Sequence, residues 1–388
     1  YRDGHHHFIS KSFQKESERS PPWYVGPDEH PPIWPPRVEP INCVEQSQGE
    51  PKDLPVAVID PERFESWCDE LVEELKQRGT TDKGHGASSV NDGIDMDAIP
   101  LTLPTNRQHA RGCAILLQAE SGLPATPRAS ESRDDPSTIE DDDLVYQWKI
   151  DLTAAYRQLI VATPCLWMCM KFWNGQFYLD LRCQFGDASM VEAFQSVSVA
   201  ILTFAESAID GDVRARTLLD LPASVWSAID KPRTSDRLQE WLVDRLHAGL
   251  PARQVRRFKT IVYIDDYLGS VVGRRFGYAV ALVHRRALRK FGFELKAEKE
   301  CLPARNMLAL GGLTQLDEPQ GLSMAPVRQL RYYKQLRSLY GKRSCRTEVL
   351  EIVTARMISA ALYHVSGRPW VTAHNTALKQ AKRRGKGR

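Results

Sequence analysis

Two adjacent aspartates, Asp265 and Asp266, interrupt an otherwise apolar stretch that spans residues 260–272. Apolar residues on both sides of the pair predict two β-strands joined by a tight turn. Inside a buried strand, unpaired carboxylates would be costly. At the tip of a hairpin they can project into a cleft instead. Taken alone, the pair also fits an ordinary turn at the protein surface.

A third aspartate, Asp151, ends another strand-like segment, residues 145–150. Neighbouring strands of one sheet would bring Asp151 close to Asp265 and Asp266, although they are far apart in the sequence. Three clustered carboxylates repel one another unless a cation neutralises them. Oxygen ligands favour Mg²⁺ or Mn²⁺, and two such ions can activate a primer hydroxyl and stabilise a leaving pyrophosphate. The pattern therefore predicts a two-metal site.

Strand and helix patterns alternate around these aspartates, which indicates an α+β fold. The clearest turn signal is Asn174-Gly175, between two short apolar runs. The predicted strands span residues 167–172 and 176–181, and the predicted helices span 189–208, about 277–291 and most of 327–382.

The segments around the aspartates resemble, in order, the motifs of reverse transcriptases of the LTR-retrotransposon and DIRS type. Residues 149–158 resemble the first palm motif, in which an aspartate is followed five residues later by an aromatic residue and then by Arg-Gln. Residues 263–266 match the Tyr-x-Asp-Asp hairpin of that family. The resemblance covers roughly residues 144–316, and its other motifs correspond to residues 185–195, 291–299 and 310–312.

The resemblance implies a right-hand polymerase palm and fingers followed by a helical, thumb-like C-terminal segment. Residues 99–330 would form the fingers and palm, with an insertion at about 208–258, and residues 331–388 would form the thumb-like segment with its basic tail. Residues 1–98 are expected to be a proline-rich arm and linker with a short helix at 61–78. The composition of the arm is typical of an extended or disordered segment, pinned by Trp23, Tyr24 and Trp34.

The resemblance also implies roles for residues at the metal site. Asp151 and Asp265 are expected to bind the two ions, with Asp266 completing the acidic cluster and the Leu152 carbonyl adding a ligand. Lys299 is expected to protonate the pyrophosphate or hold its charge, although an isolated lysine is also typical of a protein surface.

Further residues are expected to contact the incoming nucleotide. Tyr156 would exclude a ribose 2′-hydroxyl by its bulk, unless it is simply a core aromatic residue near the end of a strand. Phe185 and Gly186 would let the backbone approach the nucleotide closely. Arg157 and Gln158 would position either the template or the protein's own structure. The residues expected at the nucleic acid are Tyr263, Arg157 and Gln158.

The function implied is that of an RNA-directed DNA polymerase of a retroelement, acting on a primed RNA or DNA template with deoxynucleoside triphosphates. The lysine and arginine that the family's fingers offer to the triphosphate are not found upstream of Asp151, where Arg107 and Arg111 lie in different surroundings. An alternative is therefore a catalytically silent module that binds nucleic acid or has a structural role. Another is a different metal-dependent polymerase on the same palm, which copies DNA or makes RNA.

Composition adds expectations about the location of the protein. The eight cysteines show neither the paired spacing of a zinc ribbon nor the density of a secreted scaffold. We therefore expect buried thiols and an intracellular, reducing compartment, without distinguishing nucleus from cytoplasm. No apolar stretch has the length of a membrane span. The chain starts at Tyr1 rather than at a methionine, so we expect a fragment or a processed piece.

Overall fold

The computed structural model describes residues 3–30, 32, 41–47, 75–81, 102–120, 143–184, 189–232, 236–251, 255–317, 320–342, 345–363 and 368–385. The chain divides into two compact units. The first contains residues 1–46 and 75–305, and the second contains residues 47–74 and 306–388.

The described chain contains both helices and strands, in agreement with the predicted α+β class. The helices are α1 (Asp3–Ser17), α2 (Asn106–Glu120), α3 (Met190–Ile209), α4 (Val213–Leu219), α5 (Ala223–Asp230), α6 (Asp236–His247), α7 (Arg274–Lys290), α8 (Pro326–Leu339), α9 (Thr347–Ala361) and α10 (Arg368–Gly385). The strands are β1 (Tyr24–Asp28), β2 (Ile41–Ser47), β3 (Leu75–Thr81), β4 (Val145–Asp151), β5 (Met170–Trp173), β6 (Gln176–Asp180), β7 (Phe258–Tyr263), β8 (Asp266–Val272), β9 (Cys301–Ala304), β10 (Asn306–Ala309), β11 (Gly312–Gln315) and β12 (Gly321–Met324).

The core of the first unit is a four-stranded antiparallel sheet in the order β7, β8, β4, β9. Alternate residues of β4 point to opposite faces. Tyr146, Trp148 and Ile150 belong to one buried apolar cluster, and α3 and α7 pack on the sheet. The predicted strand before Asp151, the predicted hairpin and both predicted helices are therefore confirmed.

A glycine fixes the register of the two central strands. Trp148 on β4 lies directly opposite Gly269 on β8. A Cβ atom on Gly269 would lie only 2.1 Å from the indole ring of Trp148. The large ring therefore fills the space that any other residue at position 269 would need.

The opposite face of this sheet carries polar side chains and is partly covered by α2. His109 Nε2 lies 2.9 Å from Gln147 Oε1, and Gly112 packs against Lys259 and Ser270. No helix was predicted for this segment from the sequence. Because α2 covers only one end of the face, the end that carries Asp151 lies beyond it.

The N-terminal arm is folded where the structure describes it, so the expectation of an extended or disordered arm was wrong there. Helix α1 packs its apolar side chains against β5 and β6, and β1 pairs with β6. The reason is a pattern that the polar composition of α1 obscured: Ile9 and Phe13 are four residues apart and both are buried. Trp34 lies outside the described residues.

The predicted helix at 61–78 is wrong at its end, because residues 75–78 lie in β3, which pairs with β2. The rest of that prediction lies outside the described residues. Strand β3 also includes the start of the predicted linker. Its sequence is mostly polar, and pairing with a partner strand overrides such local preferences.

The predicted insertion at about 208–258 contains α4, α5 and α6. Arg216 ties this region together, because it forms paired hydrogen bonds of 2.8 and 2.6 Å with Asp230 and donates to the Ala208 carbonyl. Arg256 pairs with Glu206 and Asp210, and Arg257 donates to the Val272 carbonyl. The side chains of both arginines are thus engaged within the protein.

The second unit contains the β10–β11–β12 meander and helices α8 to α10. Gly311, in the turn between β10 and β11, has a φ of +75°, and the Arg328 guanidinium occupies the space where a Cβ would lie. The predicted helical C-terminal segment is confirmed for the described residues. The predicted boundary at 330 falls inside α8, whereas the C-terminal part of the second unit starts at Asn306.

Among the described helices, none has the length and apolar character needed to cross a membrane. The described cysteines are free thiols, and they include the buried Cys113, Cys169 and Cys183.

Candidate active site

The register of the central sheet places two of the predicted carboxylates side by side. Asp151, the last residue of β4, lies opposite Asp266, the first residue of β8. The Asp151 carbonyl accepts a hydrogen bond of 2.9 Å from the Lys296 amide, on the other side of β4. Asp151 and Asp266 are therefore a non-hydrogen-bonded pair, in which side chains approach closely and Cα atoms are about 4.5 Å apart.

Asp265 lies in the turn between β7 and β8. Tyr263 pairs with Asp266, which leaves Ile264 and Asp265 as a two-residue hairpin loop. Ile264 has a φ of 55°, a conformation that is rare for a β-branched residue and needs support from its surroundings.

Helix α3 supplies that support through two polar side chains. Gln195 accepts a hydrogen bond of 2.7 Å from the Ile264 amide and donates one of 2.9 Å to the Val262 carbonyl. Ser198 donates a hydrogen bond of 2.7 Å to the Ile264 carbonyl. These contacts hold the turn, and with it Asp265, against α3.

The three aspartates form one electrostatic cluster. Burial raises the pKa of the Asp265 carboxyl to about 6, and the charges of Asp266 and then Asp151 act in the same direction. The strand register gives the geometry, because Asp265 precedes Asp266 in the turn and Asp266 lies opposite Asp151. The predicted clustering of Asp151, Asp265 and Asp266 thus has a geometric and an electrostatic basis in the structure.

Two lysines compensate this negative charge. Lys149 Nζ lies 2.8 Å from Asp266 Oδ1 and 3.8 Å from Asp151 Oδ2. Lys299 Nζ donates a hydrogen bond of 3.1 Å to Asp151 Oδ2. The backbone pairing of residues 294–296 with the end of β4 brings Lys299 to the cluster.

Tyr156 lies beside the cluster and is not fully buried. Its ring meets Phe194 edge-on, with centroids 5.5 Å apart. Burial raises the pKa of the Tyr156 hydroxyl to about 12, and Asp265 and Tyr263 contribute to the shift. The contact of the ring with Phe194 fits the alternative of a core aromatic residue, since Phe194 belongs to the main apolar cluster.

Arg157 and Gln158 contact the protein itself, which favours the structural role weighed for them. Both oxygens of Asp180 lie 2.7 Å from Arg157 Nη1, and Glu16 on α1 binds Nη2 at the same distance. Gln158 bonds both the amide and the carbonyl of Glu294. The hydrogen bonds of both side chains thus tie segments of the protein to one another.

Three predicted site residues remain: the metal ligand Leu152 and the nucleotide-binding residues Phe185 and Gly186. Leu152 forms an isolated bridge with Leu295 in which the neighbouring residues, not Leu152, exchange the hydrogen bonds. The Leu152 carbonyl consequently points to the opposite side of the strand, where β8 lies. Phe185 and Gly186 lie outside the described residues.

The donor chemistry of the cluster fits Mg²⁺ or Mn²⁺, because all of its side-chain donors are carboxylate oxygens. Within the described part of the chain, no group of three or more His, Cys, Asp or Glu side chains is arranged so that it could hold a metal ion. Asp151 and Asp266 are in contact with ammonium groups instead. Metal binding would require the carboxylates to rearrange.

Lys149, Gln195 and Ser198 were not predicted as functional residues. Lys149 could have been found, because it lies two residues before Asp151 and a strand places such residues on one face. Gln195 and Ser198 are three residues apart on an apolar helix, so they share a side of it. The turn that they contact lies 66–69 residues further along the chain, and spacing within the helix does not predict so distant a contact.

No family model matches this chain, and no curated protein matches it. Solved structures of foamy viral protease-reverse transcriptases are similar to it. One, in complex with double-stranded DNA, has a TM-score of 0.40 and 14% identity, over 74% of this chain and 34% of that chain. Another, the native prototype foamy virus protein, has a TM-score of 0.34 and 13% identity, over 88% of this chain and 33% of that chain. The chain thus spans about a third of the length of these structures, and at such scores the similarity supports no functional argument.

Proposed function

We propose that this chain is a metal-dependent nucleotidyltransferase, an RNA-directed DNA polymerase of a retroelement of the LTR or DIRS type. The observation that carries the proposal is the pairing of Asp151 with Asp266 beside the turn that bears Asp265. Three interacting carboxylates at the end of the two central strands do not stabilise the fold by themselves, because their mutual repulsion opposes folding. The first unit would correspond to the palm and fingers, and the helical C-terminal segment to a thumb.

In this proposal, Asp151 and Asp265 hold two divalent ions, with Asp266 and the Leu152 carbonyl nearby. The ions supply activation of the primer 3′-hydroxyl and stabilisation of the leaving pyrophosphate. Lys299, whose side chain is 54% exposed and contacts Asp151, would contact the phosphates of the incoming nucleotide. It would hold the negative charge of the pyrophosphate.

Other residues would bind the substrates. Tyr156 would lie under the incoming sugar, and its bulk beside Asp265 would select deoxynucleotides over ribonucleotides. Phe185 and Gly186 would line the nucleotide site, and Tyr263 would contact the primed template. Arg157 and Gln158 would act through the structure, by holding α1 and the segment around Glu294 in place.

Primer extension tests the proposal. The chain is assayed on matched RNA and DNA templates with Mg²⁺ or Mn²⁺, beside a variant with Asp265→Ala and Asp266→Ala. Asp220→Asn is a matched control, because the Asp220 side chain is 85% exposed and its ion-pair partner is Arg286, at 4.0 Å. We expect extension on RNA by the wild type and the control and none by the double variant. Equal extension by all three proteins would exclude this site.

A catalytically silent module that binds nucleic acid is the second candidate. It is favoured by the missing fingers lysine and arginine and by the lysine contacts that occupy Asp151 and Asp266. In this case, neither the wild type nor either variant extends the primer with Mg²⁺ or Mn²⁺. The wild type still binds a labelled primer–template duplex, and the double variant binds it equally well. We propose the same reducing, intracellular setting for either function.

A further inference from the structure

Lys149 lies inside the carboxylate cluster and was assigned no role by the sequence. It precedes Asp151 by two residues on β4, so the two side chains share a face of the sheet. Its Nζ contacts carboxylates on both central strands, Asp266 at 2.8 Å and Asp151 at 3.8 Å. The Lys149 side chain is only 13% exposed, so this is not a solvent-screened surface pair.

The contact with Lys149 is the main compensation for Asp266. Asp266 Oδ1 is buried and receives no hydrogen bond of favourable geometry from the described residues. An uncompensated buried carboxylate is strongly destabilising. The ion pair with Lys149 therefore offsets the cost of burying the Asp266 carboxylate, as hydrogen bonds do for most buried polar groups.

Lys299 differs from Lys149 in exposure. Its side chain is 54% exposed and contacts only Asp151. Solvent weakens such a contact, and a side chain of this kind can leave the cluster at little cost. Lys149 has no such freedom, because its side chain is only 13% exposed and contacts carboxylates on both β4 and β8.

An ammonium group and a divalent cation at the same carboxylates compete, because each positive charge weakens the binding of the other. We propose that Lys149 is an internal counter-cation that competes with the divalent ion for Asp151 and Asp266, and thereby sets the metal affinity of the site. The inference rests on the proposed function, in which these carboxylates bind a divalent ion.

Mn²⁺ binding to the full chain, measured by electron paramagnetic resonance, tests the inference. Lys149→Met removes the charge, and Lys149→Arg keeps it. Lys259→Met is the matched control, because Lys259 lies on the same face of the sheet and its neighbouring charges include Arg256 and Arg245 rather than the aspartates. We expect Lys149→Met to bind Mn²⁺ on the order of tenfold more tightly than the wild type. The other two variants should bind like the wild type.

A thermal unfolding series completes the test without relying on metal affinity alone. In EDTA, Lys149→Met should melt at a lower temperature than Lys259→Met, since the Asp266 carboxylate loses its counter-cation. Added Mn²⁺ should recover more of that loss in Lys149→Met than in the control.

The outcomes separate the two proposals. If the wild type binds Mn²⁺ at the cluster and Lys149→Met binds it equally or more weakly, Lys149 is not a competitor and only this inference fails. If neither protein binds Mn²⁺, and the variant with Asp265→Ala and Asp266→Ala titrates identically, the proposed function fails with it. Should Lys149→Met not fold even with Mn²⁺, Lys149→Gln replaces it, and failure of that variant to fold with Mn²⁺ also counts against competition.

Discussion

Replacing Gln195 by alanine tests whether α3 holds the turn that bears Asp265. Gln195 is 8% exposed, and its amide group bonds both the Ile264 amide and the Val262 carbonyl. Each hydrogen bond contributes about 1 kcal/mol net, and a buried group left without a partner costs about 1–3 kcal/mol. The loss of both bonds should therefore lower the free energy of unfolding by about 2–4 kcal/mol.

Urea unfolding followed by far-ultraviolet circular dichroism measures this change. Ser196→Ala is the matched control, because Ser196 is the next residue of α3 and its hydroxyl bonds only the Glu192 side chain on the exposed surface. The control should change the free energy of unfolding by less than about 0.5 kcal/mol. A Gln195→Ala variant as stable as the control would refute the assignment.

Function gives a second measure for the same variant. If Gln195 positions Asp265, primer extension by Gln195→Ala should fall by more than the loss of folded protein explains. Gln195→Glu should not restore it, because a carboxylate can accept from the Ile264 amide but cannot donate to the Val262 carbonyl. Extension that follows the folded fraction alone would limit Gln195 to stability.

Three further predictions concern the fold and the cluster. Gly269→Ala should destabilise the protein by at least about 1–3 kcal/mol in urea unfolding, because the new Cβ overlaps the Trp148 ring. The pKa of Asp265 is raised to about 6, so its contribution to the stability of the fold in EDTA is fully present below about pH 4 and is lost as the pH rises through about 6. Asp265→Asn should therefore be more stable than the wild type in EDTA at pH 8, by about 2–3 kcal/mol. Near pH 4 the two proteins should be equally stable. Arg157→Met should cost about 3–5 kcal/mol, because it leaves the buried carboxylate of Asp180 unpaired, and limited proteolysis should then cleave the N-terminal arm faster.

The parts of the fold that the sequence predicted are those with local signals. Asn174-Gly175 predicts the hairpin of β5 and β6, because the turn needs a positive φ at both positions and asparagine and glycine tolerate it. Apolar periodicity gives α3 and α7. The predicted first strand of that hairpin began too early, at residue 167, because Thr163–Met168 forms a 3₁₀ helix.

The parts that it did not predict depend on partners far along the chain. Helix α1 was missed because its polar composition hides two apolar positions, Ile9 and Phe13, whose contacts are with β5 and β6. Arg157 shows the same limit at the site. Its resemblance to a template-binding residue is local, whereas its partners Glu16 and Asp180 are separated from it by 141 and 23 residues.

Register connects the core to the candidate site. Asp151 and Asp266 face each other only because β4 and β8 are aligned by the fit of Trp148 against Gly269. A slip of one residue would move the side chains of one strand to the opposite face, so Asp151 and Lys149 would point into the apolar core. Trp148 and Gly269 have no chemistry of their own, yet they fix the distance between two carboxylates on the other face. Substitutions at this buried pair should therefore affect metal binding even where the protein remains folded.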